Sequence, residues 1–265
     1  MRFALIDNKR VEAQPKQQGL CPNCSQPVIA KCGDKKVWHW AHRSTKSCDS
    51  WWEPETEWHR NWKNNYPSEW QEITLFDERT GEKHIADVRT THNLVIEFQH
   101  SAIKPEEQIS RERFYKNMLW VVDGTRLKRD YPRFRKGIQN FKRTNQQGFF
   151  FVDFPDEVFP KNWIDSSVPV IFDFLGLSAD TTDNIKNTLW CLLPQRVATQ
   201  AIVVGFRKKD FVQTTHIRGQ LFPEKEKTQQ KQKTPSRQPQ IVMRRREPTY
   251  YYDPKKERMV KRRRF

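Results

Sequence analysis

The sequence predicts an α/β protein of the α+β kind. Its core runs helix, three-strand meander, helix, strand, with a small β element rich in cysteine and histidine before it and a β-rich module after it. Three observations carry this. Residues 53–65 and 104–116 each open with Pro and acidic residues, as helix N-termini do. Residues 70–76, 83–90 and 94–99 read as strands divided by polar turns. Residues 118–123 open with a continuous apolar run and end at Gly124, the character of a buried strand.

The length of 265 residues suits one large domain or two small ones. The organisation expected is an N-terminal element over 1–50, the core over 51–124, a basic connection over 125–149, the β-rich module over 150–217 and a basic tail over 218–265. The longest apolar runs, such as Leu119-Trp120-Val121-Val122, are far short of a bilayer span. Asp7 interrupts the N-terminus before any usable signal segment, so a cytoplasmic location is expected. Five cysteines, an odd count, argue for metal binding or burial over a disulfide framework.

The formal net charge is +16, which points to a polyanionic partner, nucleic acid first. The excess has two addresses. Residues 124–149 hold eight basic residues against one acidic, and residues 223–265 hold fifteen against five. The second stretch is poor in apolar residues and is expected to be disordered. It can serve as a phosphate-binding arm or equally as a solubilising or docking tail.

In the N-terminal element, Cys21 and Cys24 have the C-x2-C spacing that lets two thiolates of one turn reach one ion. His39 and His42 follow. Together they form a Cys2His2 set suited to tetrahedral zinc, with Cys32 and Cys48 as substitutes for either histidine. Val28-Ile29-Ala30 and Lys36-Val37-Trp38 fit two short strands between the pairs.

Pro54 is placed at the first turn of the first helix. Glu55, His59 and Lys63 recur at i, i+4 and i+8 as a polar stripe beside Trp58 and Trp62. Without further support that stripe would be a solvated face. In the meander, a three-residue loop at Thr91-His92-Asn93 pairs Thr90 with Leu94. Asp87 then lies opposite Glu97, with Gln99 two residues on and on the same face. Ala86, Val88, Leu94, Ile96 and Phe98 fill the other face. A slip of one residue would undo the arrangement.

In the second half, GFFFVDF, VPVIFDFLG, LWCLLP and AIVVGF read as four strands, with a helix or turn near 180–187. Trp163, Trp190 and Cys191 read as core, and His216 as a surface residue. This region can close over the core, read substrate or bind a protein partner, as can the tail.

Taken in order, CPNC, HWAH, ETEWHRNWK (residues 55–63), IADV (85–88), IEFQHSAI (96–103), RERFY (111–115) and LWVVDG make residues 1–125 resemble the competence protein CoiA-like family. The core of that family resembles the PD-(D/E)XK, restriction-endonuclease-like nucleases. The resemblance implies a hydrolase that cuts phosphodiester bonds of DNA, with Asp87 and Glu97 holding Mg2+ or Mn2+ and Glu55 as the helix glutamate. Gln99 stands where the wider superfamily has lysine, matching the Glu-x-Gln form of CoiA-like sequences.

The chemistry agrees with that implication. Hydrolysis needs an oriented water and stabilisation of charge at phosphorus, both of which a hard dication supplies. Gln99 can position water or phosphate but is a poor base. Glu55 can hold a second ion or take a proton. Lys63 or His59 can supply the positive charge that Gln99 lacks, and Tyr115 is a further auxiliary candidate. Arg126, Lys128, Arg129, Arg133, Arg135 and Lys136 are the expected contacts to the nucleic-acid backbone. Tyr131, Phe134 and Phe141 among them fit packing anchors better than base-stacking platforms. The competing readings are a nucleic-acid-binding protein that keeps the fold without cutting, and a zinc-dependent scaffold.

Overall fold

Short strands with tight turns build the N-terminal element. Strands β1 (Phe3–Ile6), β2 (Lys9–Glu12), β3 (Gln18–Leu20), β4 (Pro27–Lys31) and β5 (His39–His42) form one antiparallel sheet in the order β2-β1-β3-β4-β5. Asp7 and Asn8 take positive φ at the first turn, a conformation short polar side chains tolerate. Met1, Ala4, Val28 and Trp40 bury their side chains together with Cys21. The computed structural model describes residues 1–43, 48–179, 181–222 and 250–261.

The core begins at α1 (Glu57–Lys63), later than the sequence suggests. Thr56, not Pro54, sets the start. Its hydroxyl accepts from the His59 N–H, and the His59 ring reaches back to the Thr56 N–H, a reciprocal cap. Glu55 therefore lies ahead of the helix.

The meander follows as β6 (Gln71–Phe76), β7 (Lys83–Arg89) and β8 (Val95–Gln99). Next come α2 (Pro105–Tyr115), with Pro at its first turn, and β9 (Met118–Asp123), parallel to β8. This is the element order the sequence indicates. Beyond it lie α3 (Asp130–Gly137), β10 (Lys142–Arg143), β11 (Phe149–Val152), α4 (Pro155–Val158), β12 (Val170–Asp173), β13 (Thr188–Val197) and β14 (Gln200–Arg207). Then comes α5 (Lys208–Ile217), a helix the sequence did not reveal.

The four strands expected in the second half are all present. They extend the meander's own sheet, which has nine strands in the order β10-β11-β14-β13-β12-β9-β8-β7-β6. The β-rich segment is thus continuous with the core sheet. Residues 184–187 form a turn, with the Asn187 N–H bonded to the Asp183 carbonyl.

Both faces of the sheet are covered, as its apolar central strands require. On one face Trp120, Val170, Phe172 and Trp190 pack with Phe134 of α3 and Val158 of α4. On the other Ile96, Val121, Ile171 and Cys191 pack with Trp58, Trp62 and Phe211. Phe134 is fully buried, and Tyr131 and Phe141 pack around the same cluster, so these aromatics are anchors. Trp163 is buried as expected. His216 is half-buried, stacked on Tyr66 and bonded to the Asn65 carbonyl, not free on the surface.

The indoles of Trp58 and Trp62 both donate to Asp173 Oδ2, at 3.0 and 2.9 Å. The second half thereby fixes the helix that carries His59 and Lys63.

Residues 1–222 form one compact unit and 223–265 a second. Within the second, β15 (Tyr250–Asp253) and β16 (Arg258–Lys261) pair antiparallel. Over 250–261 alone this differs from the disorder expected of the tail: tyrosine and valine favour strands, and Asp253-Pro254-Lys255-Lys256 makes the turn. Residues 223–249 and 262–265 of the expected tail lie outside the described residues.

Candidate active site and metal centre

The meander register puts Asp87 opposite Glu97. Val88 pairs with Ile96 and Arg89 with Val95, and the Thr90 N–H bonds to the Leu94 carbonyl. At the next rung the main-chain ladder stops. The Asp87 N–H donates to Glu97 Oε1 at 3.1 Å, and the Phe98 N–H donates to Asp87 Oδ2 at 3.0 Å. The two side chains thus occupy places that carbonyls would hold in a closed sheet.

A third carboxylate shares this row. Gln71 pairs with Val88 and Ile73 with Ala86, so Glu72 falls opposite Asp87. Glu72 has a φ of 49°, a left-handed conformation unusual for a residue with a side chain. Its carboxylate accepts from the N–H groups of Arg2 at 2.7 Å and Phe3 at 3.1 Å. Sequence reasoning missed Glu72, because its role depends on a positive φ inside β6 and on β1.

Lys63 bridges the row. Its ammonium lies 2.7 Å from Glu55 Oε1, 3.1 Å from Glu72 Oε1 and 3.8 Å from Asp87 Oδ1. Burial works against its charge, but Glu72, Glu55 and Asp87 outweigh burial and hold the Lys63 pKa above its ordinary value. Arg60 binds the other side of Glu55, at 3.1 and 2.6 Å. Burial would raise the Glu55 carboxyl, but Lys63 and Arg60 hold it well below the usual carboxylate range.

The remaining residues complete the pocket, which is lined by Glu53, Glu55, His59, Lys63, Glu72, Asp87, Glu97, Gln99 and Arg111 among others. Glu97 is buried. Burial and the neighbouring Asp87 push its carboxyl up to about 8, and the Arg111 guanidinium at 3.1 Å only partly offsets them. Gln99 donates to Glu53 Oε1 at 2.5 Å and to the Ser101 carbonyl at 3.2 Å. Glu53, read from sequence only as part of the helix N-terminus, is thus part of the site.

The His59 Nδ1 accepts from the Thr56 N–H at 3.3 Å, which leaves Nε2 to carry the proton in the neutral ring. Burial lowers the His59 pKa, although Asp87 favours the charged form. Tyr115 is buried against Trp51 and Phe114, and it is not among the pocket walls.

The oxygens of Asp87 and Glu97 make a hard donor pair, and each still has a lone pair to offer. Burial and the neighbouring Asp87 together disfavour the charged Glu97, a penalty of the kind that a dication relieves. The residues present therefore fit Mg2+ or Mn2+.

A separate cluster lies in the N-terminal element. Cys21, Cys24, His42 and Cys48 bring one ligand atom each to within 4.8 Å of one another. Cys21 Sγ and Cys48 Sγ are 3.7 Å apart, and Cys24 Sγ is 3.2 Å from His42 Nε2. A zinc tetrahedron with Zn–S bonds of about 2.3 Å has S–S edges of about 3.8 Å. The Asn23 N–H donates to Cys21 Sγ at 3.4 Å and its amide to Cys48 Sγ at 3.5 Å, which favours thiolates. Burial and the neighbouring sulfur push the Cys48 thiol up to about 12, a penalty a bound dication would remove. This Cys3His set fits structural zinc.

The expected ligand His39 is replaced by Cys48. The reason is the pleat. His39 and His42 both lie on β5 three residues apart, so they face opposite sides of it. His39 turns instead to the Val37 carbonyl at 2.8 Å. Cys32 is outside the cluster.

Arg126, Lys128 and Arg129 in the turn before α3 are exposed, as are Arg135 and Lys136 on it. Arg133 is half-buried and paired with Asp130 at 3.0 Å. Among the described residues, no helix is long and apolar enough to cross a membrane.

Residues 5–50 match the family model described as competence protein CoiA, N-terminal domain, and residues 83–157 match the one described as competence protein CoiA, nuclease-like domain. No curated protein and no solved structure matches the chain. The first match contains Cys21, Cys24, His42 and Cys48, and the second contains Asp87, Glu97 and Gln99. Residues 5–50 and 83–157 are thus the N-terminal and nuclease-like domains of the competence protein CoiA family.

Proposed function

We propose that the protein is a divalent-metal-dependent nuclease with a PD-(D/E)XK-like core, hydrolysing phosphodiester bonds of DNA. The observation that carries this reading is the interrupted rung at Asp87 and Glu97, where two carboxylates face each other in place of main-chain hydrogen bonds. A surface built only to hold phosphate gains nothing from buried carboxylates there.

Asp87 and Glu97 would hold Mg2+ or Mn2+, which supplies Lewis acidity toward a phosphate oxygen and lowers the pKa of water. Arg111 holds Glu97 in place from behind. Lys63 brings the positive charge that Gln99 lacks, 3.8 Å from Asp87. Glu55 is occupied by Arg60 and Lys63 and acts by positioning that ammonium, not as a metal ligand. Gln99, tied to Glu53, orients water or phosphate by hydrogen bonding. The neutral His59 ring offers an N–H at the pocket wall. Arg126, Lys128, Arg129, Arg135 and Lys136 attract the phosphate backbone. Zinc in the Cys3His cluster would brace the N-terminal sheet, which reaches the site through the bonds from Arg2 and Phe3 to Glu72.

The test is incubation of the purified protein with single-stranded and duplex DNA in Mg2+, Mn2+ or EDTA. Cleavage that needs the metal is expected. Absence of cleavage in both metals would leave the non-cutting nucleic-acid-binding protein as the better reading.

A further inference from the structure

A second recess opens beside the carboxylate pocket. Gln99 lines the pocket, while the next residues, His100 and Ser101, line the recess. The rings of His59, on the pocket wall, and His100 are 6.1 Å apart. A chain whose phosphate sat over Asp87 and Glu97 would enter this recess with its neighbouring nucleotide.

The chemistry of the recess suits a nucleotide. Arg126, Arg129, Arg133 and Lys161 line it, with Asp123, Asp130 and Asp156 as its acidic residues. The exposed side chains of Arg126, Arg129 and Lys161 make no ion pair among the described residues. Arg133 gives one nitrogen to Asp130 at 3.0 Å, and its Nε is buried without an acceptor. That missing partner is a cost unless something supplies it.

His100 is held for contact. Its Nδ1 meets Asp123 Oδ2 at 2.7 Å, and the other Asp123 oxygen takes the Thr125 N–H at 2.8 Å and its hydroxyl at 2.6 Å. Asp123 ends a central strand and is buried, so the imidazole is fixed with Nε2 left for a ligand. Behind these polar groups, Phe172 and Phe174 supply an apolar lining.

We propose that this recess seats one unpaired nucleotide next to the phosphate being cut, with the arginines and His100 on its phosphate and the apolar lining against its base. The inference rests on the nuclease reading for its placement and adds the class of substrate: a single strand, a flap or a frayed end. A base in an intact duplex remains in its stack and cannot enter a recess without being flipped out.

The test is a binding measurement without added Mg2+ or Mn2+, which leaves the zinc cluster intact and does not require cleavage. Fluorescence anisotropy of a labelled oligothymidylate is compared with that of its blunt duplex. The strand is expected to bind tighter by about ten-fold or more, the scale of one stacked base. Ala102→Trp, at an exposed recess-lining position, is expected to remove that preference with the circular dichroism spectrum unchanged. The double variant Arg126→Ala and Arg129→Ala, independent of any filling of the recess, is expected to lower the slope of log affinity against log salt by about 1.4. Equal affinity for strand and duplex would overturn the proposal, as would an unchanged salt slope in the double variant. Failure of the nuclease reading shows elsewhere, as absence of metal-dependent cleavage.

Discussion

The Asp87 N–H donates to Glu97 Oε1 at 3.1 Å, across the rung at which the β7–β8 ladder ends. A strand pair normally spends its N–H groups on carbonyls. Here the N–H groups of Asp87 and Phe98 go to carboxylates, so the sheet opens where negative charge is gathered. Glu72 lies on the same row from the far side of β7, and Lys63 lies between the parts.

Lys63 is the buried counter-charge of this row. Lys63→Met would leave Glu55 with Arg60 alone and Glu72 without its ammonium. Breaking a buried pair from one side costs about 3–5 kcal/mol, and urea unfolding at neutral pH is expected to show a loss of that order. The pH dependence follows from the lowered Glu55 and Glu72 pKa values. In each, burial raises the carboxyl, and Lys63 outweighs it together with Arg60 at Glu55 and with the N-terminal ammonium at Glu72. A carboxyl with a lower pKa in the folded state adds stability above its unfolded pKa and loses it as the pH falls. Wild-type stability is therefore expected to decline from about pH 4.3 downward, with a shallower decline in Lys63→Met.

The fourth ligand of the cysteine cluster separates two alternatives. Cys48→Ser is expected to lower the zinc content of the purified protein, measured by elemental analysis, to a small fraction of the wild-type value. His39→Ala is expected to leave it unchanged. The reverse pattern would contradict the assignment of Cys48.

Asp173 accepts both indole N–H groups of α1. Asp173→Ala leaves two buried donors without acceptors, each worth about 1–3 kcal/mol. A lower urea midpoint is expected, with activity falling as His59 and Lys63 lose their seat. Asp173→Asn, which keeps an acceptor oxygen, is expected to recover part of both. Equal stability of Asp173→Ala and wild type would refute the bracing role.

The parts legible in the sequence are those set by local period. Alternation in β7 and β8, with a three-residue loop at Thr91-His92-Asn93, was enough to place Asp87 against Glu97. Pro105 with its acidic neighbours was enough for the start of α2, and Cys21 and Cys24 for half of the metal cluster. What escaped depends on long-range geometry. Glu72 acts through a positive φ inside β6 and through β1, some seventy residues earlier. Glu53 became visible only through Gln99. The choice of Cys48 over His39 needed the pleat of β5, and the start of α1 turned on a Thr56 cap whose partner is an uncommon histidine. The continuity of the second half with the core rests on β12 lying beside β9, which no spacing reveals.

The most direct measurement is the rate of DNA cleavage in Mn2+ by wild type, Asp87→Asn and Glu97→Gln, each isosteric and checked for folding by circular dichroism. Even an outer partner of a metal ligand is worth about 10–100-fold. Wild type is expected to cut, and each variant to lose about 100-fold or more while keeping its fold. Cleavage by both folded variants at the wild-type rate would contradict the assignment of Asp87 and Glu97 as the metal-holding pair.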